Sequence, residues 1–321
     1  LLRILGTDIK MKDISFDAGS KTKKILKKLP KNINKSPKYR DKTIEQIIAL
    51  EETPRSITTV NKLLKRYSSL FDWAVRNRQG IKENFFLDIG IKQNKNKKED
   101  RSPYSNEQIH VLFSTLNSNK SLQHSYYYWV SRIALYTGLR QNEICQLYLD
   151  NIREEEGTYI FDIVEEDSDG KTRTDVHLKT LTSRRWVPIH SALIELGLLD
   201  RVDELRKQGE VRLFPELKYN GNNYGKSVSA WFGRVREKLG WVNLKPKLDF
   251  HSFRHNVATA LQQKNVPEER VNAILGHAAA TESFSRYGKG FAMSTVKQDI
   301  EGIRFDIPEI HTRPPEKFKR K

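Results

Sequence analysis

The sequence predicts a mainly α-helical protein with a small antiparallel β-sheet, an α+β fold. Over most of the chain, apolar residues recur every three or four positions, which is the period of an amphipathic helix. β-branched and aromatic residues gather instead in three short runs at 159–164, 174–178 and 185–189, and these predict three antiparallel strands. Because 321 residues exceed what one hydrophobic core usually supports, two domains are expected.

The charge of the chain favours a polyanionic partner. Lysine and arginine total 57 against 40 acidic residues, and the first 100 residues hold 24 of the basic and only 12 of the acidic ones. An excess of this kind bears on partners rather than on fold, and nucleic acid is the obvious polyanion. An anionic membrane is the weaker alternative, since no run reaches the roughly 18 apolar residues of a spanning helix and no signal peptide opens the chain. We therefore expect a soluble, cytoplasmic protein.

A polar linker predicts where the first domain ends. The run KQNKNKKEDRS at 92–102 contains no apolar residue, so we place a helical, basic domain at 1–100 and a second domain at 101–321. The chain begins with Leu1 rather than Met, which suggests that a segment before the first domain is missing.

The first domain contains two basic stretches. Residues 21–40 carry nine basic residues and no acidic one, and we interpret them as a solvated arm or a DNA-facing loop. Residues 58–78 have the periodicity of an amphipathic helix. The polar side of this helix contains Asn61, Lys62, Lys65 and Arg66. That side is either an ordinary solvated face or a surface that lies against DNA.

Start and stop signals place the helices of the second domain. A capping-box pattern at 105–108 begins a helix at about Asn106, while Pro267 and Gly276 bracket a short helix between them. Apolar periodicity predicts the remaining helices at about 123–136, 227–239, 252–264 and 293–301. The single cysteine, Cys145, lies in an apolar run and is expected in the core, and it excludes an intrachain disulfide.

Arg140 and Lys179 are the first candidates for contact with a phosphate. Arg140 follows a turn at Gly138, from which its planar fork can grip two oxygens at once, and Glu143 is placed to hold the guanidinium. Lys179 ends one predicted strand, and Arg185 begins the next across a tight turn. Each of these features alone has an ordinary explanation, such as a surface ion pair or a solubilising lysine.

The other candidates lie in the last quarter of the chain. His251 and Arg254 share one face at the start of a helix, where unpaired N–H groups already favour an anion. His277 emerges directly after Gly276 at a helix end, and Tyr287 lies before glycines in a segment we expect to be mobile. By itself, a tyrosine before a glycine is usually a packing residue.

Taken in order, these motifs resemble the tyrosine recombinases, also called phage integrases, from about residue 105 to residue 300. The matching stretches are TGLRQNE, LKTLTSRRWVPI, HSFRH, ILGH and the RY before Gly288. The first hundred residues match only loosely, as a helical core-binding domain. The resemblance implies an integrase-like catalytic domain at 101–321, and it suggests that an N-terminal arm-binding domain is missing or truncated.

The resemblance also implies roles for the candidates. Tyr287 would attack a DNA phosphodiester to form a 3′-phosphotyrosyl link and free a 5′-hydroxyl. Arg140, Arg254 and His277 would hold the non-bridging oxygens, and some members have Trp where His277 stands. Lys179 would protonate the leaving oxygen, while His251 would accept the tyrosine proton or order the phosphate. The DNA-contacting set adds Arg184 and Arg185 to the residues of the first domain.

The implied partners are double-stranded DNA, three further copies in a homotetramer on paired sites, and accessory DNA-bending proteins. No cofactor is expected, because the sequence has no carboxylate cluster for Mg²⁺, no zinc-like histidine spacing and no glycine-rich phosphate loop. Residues 291–305 resemble the family's tail helix, which is exchanged between subunits or packs on its own domain. The alternatives are a type IB topoisomerase and a catalytically silent DNA-binding regulator.

Overall fold

The computed structural model describes residues 1–92, 101–118, 124–180, 183–221, 223–277 and 291–308. Within these ranges the protein is mainly helical and has one three-stranded antiparallel sheet, which confirms the predicted fold class. The chain divides into two compact units, residues 1–95 and 96–321, and each is described by itself. None of the described helices is both long and apolar enough to cross a membrane.

The first unit is helical. Up to residue 92 its helices are α1 (Leu2–Leu5), α2 (Ala18–Lys28), α3 (Ile44–Ile48) and α4 (Ile57–Arg76). Ser56 caps α4 by accepting a hydrogen bond from the Thr59 N–H, and the side chains of Val60, Leu64 and Phe71 are buried at helical spacing along it. The predicted helix at 58–78 is therefore present, with bounds that differ by one residue at its start and two at its end.

The interpretation of residues 21–40 as an arm or loop was wrong for its first part. Helix α2 covers residues up to Lys28, because Ala18, Thr22 and Leu26 recur every four residues and form a buried stripe. The intervening lysines lie mostly on the opposite, exposed side. The lysines between the buried residues made this amphipathic helix difficult to recognise in the sequence.

The second unit begins with two helices that form the centre of its core. Helix α5 (Asn106–Asn117) has the predicted capping box, in which the Ser105 hydroxyl and the Gln108 side chain each bond the other residue's backbone N–H. Helix α6 (Tyr126–Thr137) is buried on almost every side, with Trp129 fully enclosed. It is followed by the short helix α7 (Gln141–Cys145), and Cys145 is buried as expected.

The sheet differs from the prediction in one strand. Its strands are β1 (Ile152–Glu155), β2 (Thr158–Ile163) and β3 (Arg185–Pro188), in that order, with Ile152 opposite Phe161 and Phe161 opposite Val187. The predicted strand at 174–178 is absent. β1 pairs instead through a two-residue turn in which Glu156 and Gly157 both have positive φ, the geometry that suits the twist of a hairpin. β1 was not predicted because its sequence, IREE, is mostly charged and lacks the alternation of a strand.

The remaining helices surround this core. They are α8 (Ser191–Glu195), α9 (Leu198–Lys207), α10 (Lys226–Lys238), α11 (Ser252–Gln263), α12 (Glu268–Leu275) and α13 (Met293–Glu301). Helices α10 to α13 lie within one residue of their predicted bounds. Helices α8 and α9 were not predicted, because the apolar residues of 191–207 are clustered around a glycine and do not form one continuous stripe.

The tail helix α13 packs on its own unit. Ile300 and Ile303 are fully buried against Leu261, Ile274 and Leu275. Just beyond the helix, the carbonyl of Ile303 lies 3.0 Å from Nε2 of buried His190, whose Nδ1 accepts a hydrogen bond from the Ala192 N–H. Within this single chain, the tail helix thus has an apolar packing site on its own unit.

Candidate active site

Arg140 is positioned by the turn between α6 and α7. Gly138 ends α6 with φ 66°, and a Cβ there would lie 2.6 Å from Leu275 Cδ2, so this close approach of chain segments requires glycine. Arg140 is the first residue before α7, and its Nη1 donates to Glu143 Oε1 at 2.5 Å. The predicted support of Arg140 by Glu143 is thus present in the structure as a direct hydrogen bond.

Glu143 joins two arginines. Its Oε2 accepts from Arg185 Nη2 at 2.8 Å and from the Arg140 backbone N–H at 2.9 Å. Only 4% of the Glu143 side chain and 7% of the Arg185 side chain are exposed. Burial by itself raises the pKa of a carboxyl, but the attraction of Arg185 and then Arg140 outweighs it, and the pKa of Glu143 lies below its usual value. The carboxylate is therefore charged at neutral pH.

The C-terminal end of α12 gathers three arginines. The last carbonyls of a helix lack partners within it and carry partial negative charge. Here the carbonyl of Ile274 accepts from Arg185 Nε at 2.7 Å, that of Leu275 accepts from Arg254, and that of Gly276 accepts from Arg140 Nη2 at 2.8 Å. One helix end thus brings together three guanidinium groups that are far apart in the sequence.

Arg254 is the most enclosed of the three. It lies in the first turn of α11 and is 3% exposed, and its Nη1 donates to the carbonyl of Gly138 at 2.8 Å. Burial, followed by the charges of Arg140 and Arg185, lowers the pKa of Arg254 to about 9. The group is still charged at neutral pH, in a place where a bound anion would be strongly attracted.

His277 follows α12 directly. Gly276 ends the helix with φ 65°, and a Cβ there would lie 2.7 Å from Arg185 Nη1. This position therefore requires glycine. The Nδ1 of His277 lies 3.2 Å from Asn272 Oδ1, and since an amide oxygen only accepts, Nδ1 carries the proton. Burial, followed by the charge of Arg254, lowers the pKa of His277 to about 4, so the ring is neutral at neutral pH and its Nε2 carries no proton.

His251 lies just before α11 and is half-buried. Its ring contacts that of His255 edge to face at 5.2 Å. Burial, and then the charges of His255 and Arg254, lower the pKa of His251 to about 4. A neutral imidazole in this position can accept a proton, which is one of the two roles that the sequence left open.

Lys179 lies on irregular backbone. The hairpin predicted for it was wrong in this respect, because the segment before it is not a strand. Its side chain is exposed, and its charge contributes to lowering the pKa of His277, although less than burial and the three arginines do. Beyond Lys179, the Thr180 hydroxyl contacts that of Ser183 at 3.1 Å, and Arg140 Nη1 donates to Ser183 Oγ at 3.2 Å. Hydrogen bonds therefore connect the lysine segment to Arg140.

The structure gives different places to the candidate DNA-contacting residues. Lys62, Lys65 and Arg66 are exposed on α4. Asn61 is not available in the same way, since its amide donates to the carbonyl of Ile91 and accepts from the N–H of Ile91, each at 2.8 Å. Arg184 is exposed and paired with Glu166 at 2.6 Å.

Arg185 lies within the arginine cluster and not on the surface. Its position could have been read from the alternation of β3, because Val187 is buried and the residue two before it faces the same way. The nucleophile that the sequence suggested, Tyr287, lies outside the described residues.

The model of the phage integrase family matches residues 103–290, more than half of the chain, and the chain belongs to that family. A search of curated proteins gave no match.

Solved structures with the same fold include three DNA complexes. The integrase of transposon Tn1549 with transposon right end DNA has a TM-score of 0.56 at 18% identity, covering 92% of this chain and 89% of that one. XerH site-specific recombinase with palindromic difH substrate gives 0.51 at 18%, covering 92% and 73%. A lambda integrase dimer bound to a COC′ core site gives 0.50 at 16%, covering 94% and 86%. At these identities the comparison establishes the fold.

Proposed function

We propose that this protein is a site-specific DNA recombinase of a mobile element, which cuts and rejoins DNA through a phosphotyrosine and uses neither metal nor ATP. The observation that carries the proposal is the convergence of Arg140, Arg185 and Arg254 on the end of α12, with one carboxylate between two of them. Three cations with one counter-charge leave a positive site. Such a site suits the charge that builds on the oxygens of a phosphate during transfer.

The first step transfers the phosphate from DNA to the enzyme. The oxygen of Tyr287 forms a bond to phosphorus while the bond from phosphorus to the 5′ oxygen breaks, and that electron pair stays on the 5′ oxygen. The tyrosine proton passes to neutral His251, and Lys179 donates a proton to the leaving oxygen. Arg140, Arg254 and His277 hold the non-bridging oxygens. Rejoining reverses these transfers with a 5′-hydroxyl as the nucleophile, so phosphodiester energy is conserved.

Trapped adducts test this proposal. A pool of duplexes with a randomised centre and a nick near it is incubated with the protein, so that the short fragment released by cleavage diffuses away and the covalent product persists. We expect a protein–DNA adduct that resists denaturant, and sequencing its DNA gives the target site. Tight binding without any adduct would instead support the catalytically silent regulator. Two copies of the recovered site then separate a recombinase, which forms Holliday junctions, from a topoisomerase.

The exposed face of α4 is proposed to contact phosphates. The slope of log K against log salt is negative. If Lys65 and Arg66 each neutralise one phosphate, replacing both with glutamine reduces the magnitude of this slope by about 1.8, because each contact releases counterions. Fluorescence anisotropy at several salt concentrations measures the slope. Lys207→Gln, at an exposed position on α9, serves as the control. An unchanged slope in the double variant would remove α4 from the DNA interface.

The pH dependence of binding tests His277. A bound phosphate offsets the arginine charges that lower its pKa, so we expect the pKa of His277 to rise on DNA binding. The protonated ring donates from both nitrogens, so we expect DNA affinity to increase as the pH falls from about 7.5 to 5.5. In this range the ring of the free protein stays neutral, because its pKa is about 4. His277→Gln reduces this increase, and His110→Gln, at an exposed site, does not. Equal pH slopes in all three proteins contradict the assignment.

A further inference from the structure

In the described part of the chain, the residues directly before Lys179 belong to no strand, so the position of the lysine depends on side-chain contacts. A general acid must lie within hydrogen-bond reach of the atom it protonates, and an exposed lysine on a free loop would seldom be there. Residues 175–178 precede it directly. Hydrogen bonds from Asp175, His177 and Leu178 hold these residues in place.

Asp175 is held by two tyrosines. Its Oδ2 accepts from Tyr148 Oη at 2.8 Å and from Tyr224 Oη. Both rings are themselves fixed by guanidinium groups, since Arg212 lies 3.3 Å from the centre of the Tyr224 ring and Arg173 lies 4.2 Å from that of Tyr148. Arg212 is buried and donates to the carbonyl of Cys145 at 2.8 Å. The two tyrosines, each stacked against an arginine, therefore form a socket that holds the Asp175 carboxylate.

A second set of bonds continues the same anchorage toward Lys179. The amide of buried Gln146 accepts from the His177 N–H at 3.3 Å and donates to the His177 carbonyl at 3.4 Å. The N–H of Leu178 donates to Glu165 Oε1 at 3.1 Å. Gln146 ends α7, the helix that begins after Arg140. The two ends of one short helix thus hold Arg140 and the lysine segment.

We propose that Asp175 is a positioning residue, which through Tyr148 and Tyr224 places Lys179 at the leaving 5′ oxygen. The inference rests on the proposed function, because it assumes that Lys179 is the general acid. The tyrosines hold the Asp175 carboxylate, and they act on Lys179 only through it. Loss of the socket then damages one chemical step, protonation of the leaving group, and leaves the arginine cluster intact.

A sulfur-substituted substrate tests this directly. When the 5′ bridging oxygen is replaced by sulfur, the leaving group is a thiolate whose acid has a pKa of about 8.5, and it departs without a proton. On ordinary DNA we expect cleavage to slow about 10²- to 10⁴-fold in Lys179→Ala. We expect it to slow about 10- to 100-fold in Asp175→Ala. On the sulfur substrate both variants approach the wild-type rate.

Three further variants guard against a trivial loss of folding. Tyr148→Phe combined with Tyr224→Phe keeps both rings against their arginines and removes only the hydroxyls, and we expect it to match Asp175→Ala. Asp175→Asn keeps one acceptor oxygen and restores most of the rate on ordinary DNA. Asp169→Ala, at an exposed carboxylate in the turn that precedes this segment, leaves cleavage unchanged.

The outcomes separate this inference from the proposed function. If sulfur restores Lys179→Ala but not Asp175→Ala, or if Asp175→Ala cleaves ordinary DNA at the wild-type rate, Asp175 does not position the lysine and only this inference fails. If sulfur fails to restore Lys179→Ala, the lysine is not the general acid, and its role in the proposed function fails together with this inference.

Discussion

We expect Tyr287→Phe to abolish the covalent protein–DNA adduct while DNA binding persists. The phenyl ring of phenylalanine has no oxygen that could form a bond to phosphorus. The adduct is measured on the nicked duplexes recovered above, by gel electrophoresis in denaturant. Binding is measured separately by anisotropy.

The control for this substitution is Tyr159→Phe. Tyr159 is 40% exposed on β2, and losing its hydroxyl leaves adduct formation unchanged. An adduct formed by the Tyr287→Phe protein would mean that another side chain attacks the phosphodiester. The family assignment would stand in that case, but the nucleophile would have to be found by peptide mapping of the adduct.

Glu143→Ala destabilises the protein by about 3 to 5 kcal/mol, because it leaves Arg140 and Arg185 without their shared counter-charge in a buried place. Urea unfolding measures the loss. Glu237→Ala, on the exposed side of α10, changes the free energy of unfolding by less than about 0.5 kcal/mol. Equal stability of the two variants would show that the carboxylate contributes little to the cluster.

The same carboxylate sets an acid limb to stability. Because the pKa of Glu143 is lower in the folded than in the unfolded protein, its contribution is complete above about pH 4.3 and is lost as the pH falls through the folded value. We expect the free energy of unfolding of Glu143→Gln to change less with pH in this range.

His251 affects stability at higher pH. Its pKa of about 4 in the folded protein lies below that in the unfolded protein, so the free energy of unfolding already declines as the pH falls below about 6.5.

The parts that the sequence predicted well are those with local causes. Helix α12 was placed correctly at both ends because Pro267 and Gly276 mark its boundaries by their own backbone preferences. The pairing of Arg140 with Glu143 is also local, because residues three positions apart at the start of a helix lie next to each other. These features need no knowledge of the rest of the fold.

The parts that were missed depend on contacts between distant residues. Residues 174–178 have strand-like composition, but Tyr148, Gln146 and Tyr224 bind them by side chains, so no ladder forms. The partners of Arg185, the carbonyl of Ile274 and the carboxylate of Glu143, were also missed, because both residues are distant from it in the sequence. The position of Tyr287 was argued only from motif order, and it lies outside the described residues.

The end of α12 has a consequence for how activity is gained and lost. Three guanidinium groups share consecutive carbonyls of one helix turn, and Ile274 and Leu275 in that turn also pack against Ile300 of the tail helix. A movement of this turn by an ångström displaces all three cations in concert. Under the proposed function, activity is therefore lost as a whole when this turn shifts, and we expect a substitution at Ile300 in the tail helix to disturb all three guanidinium groups together.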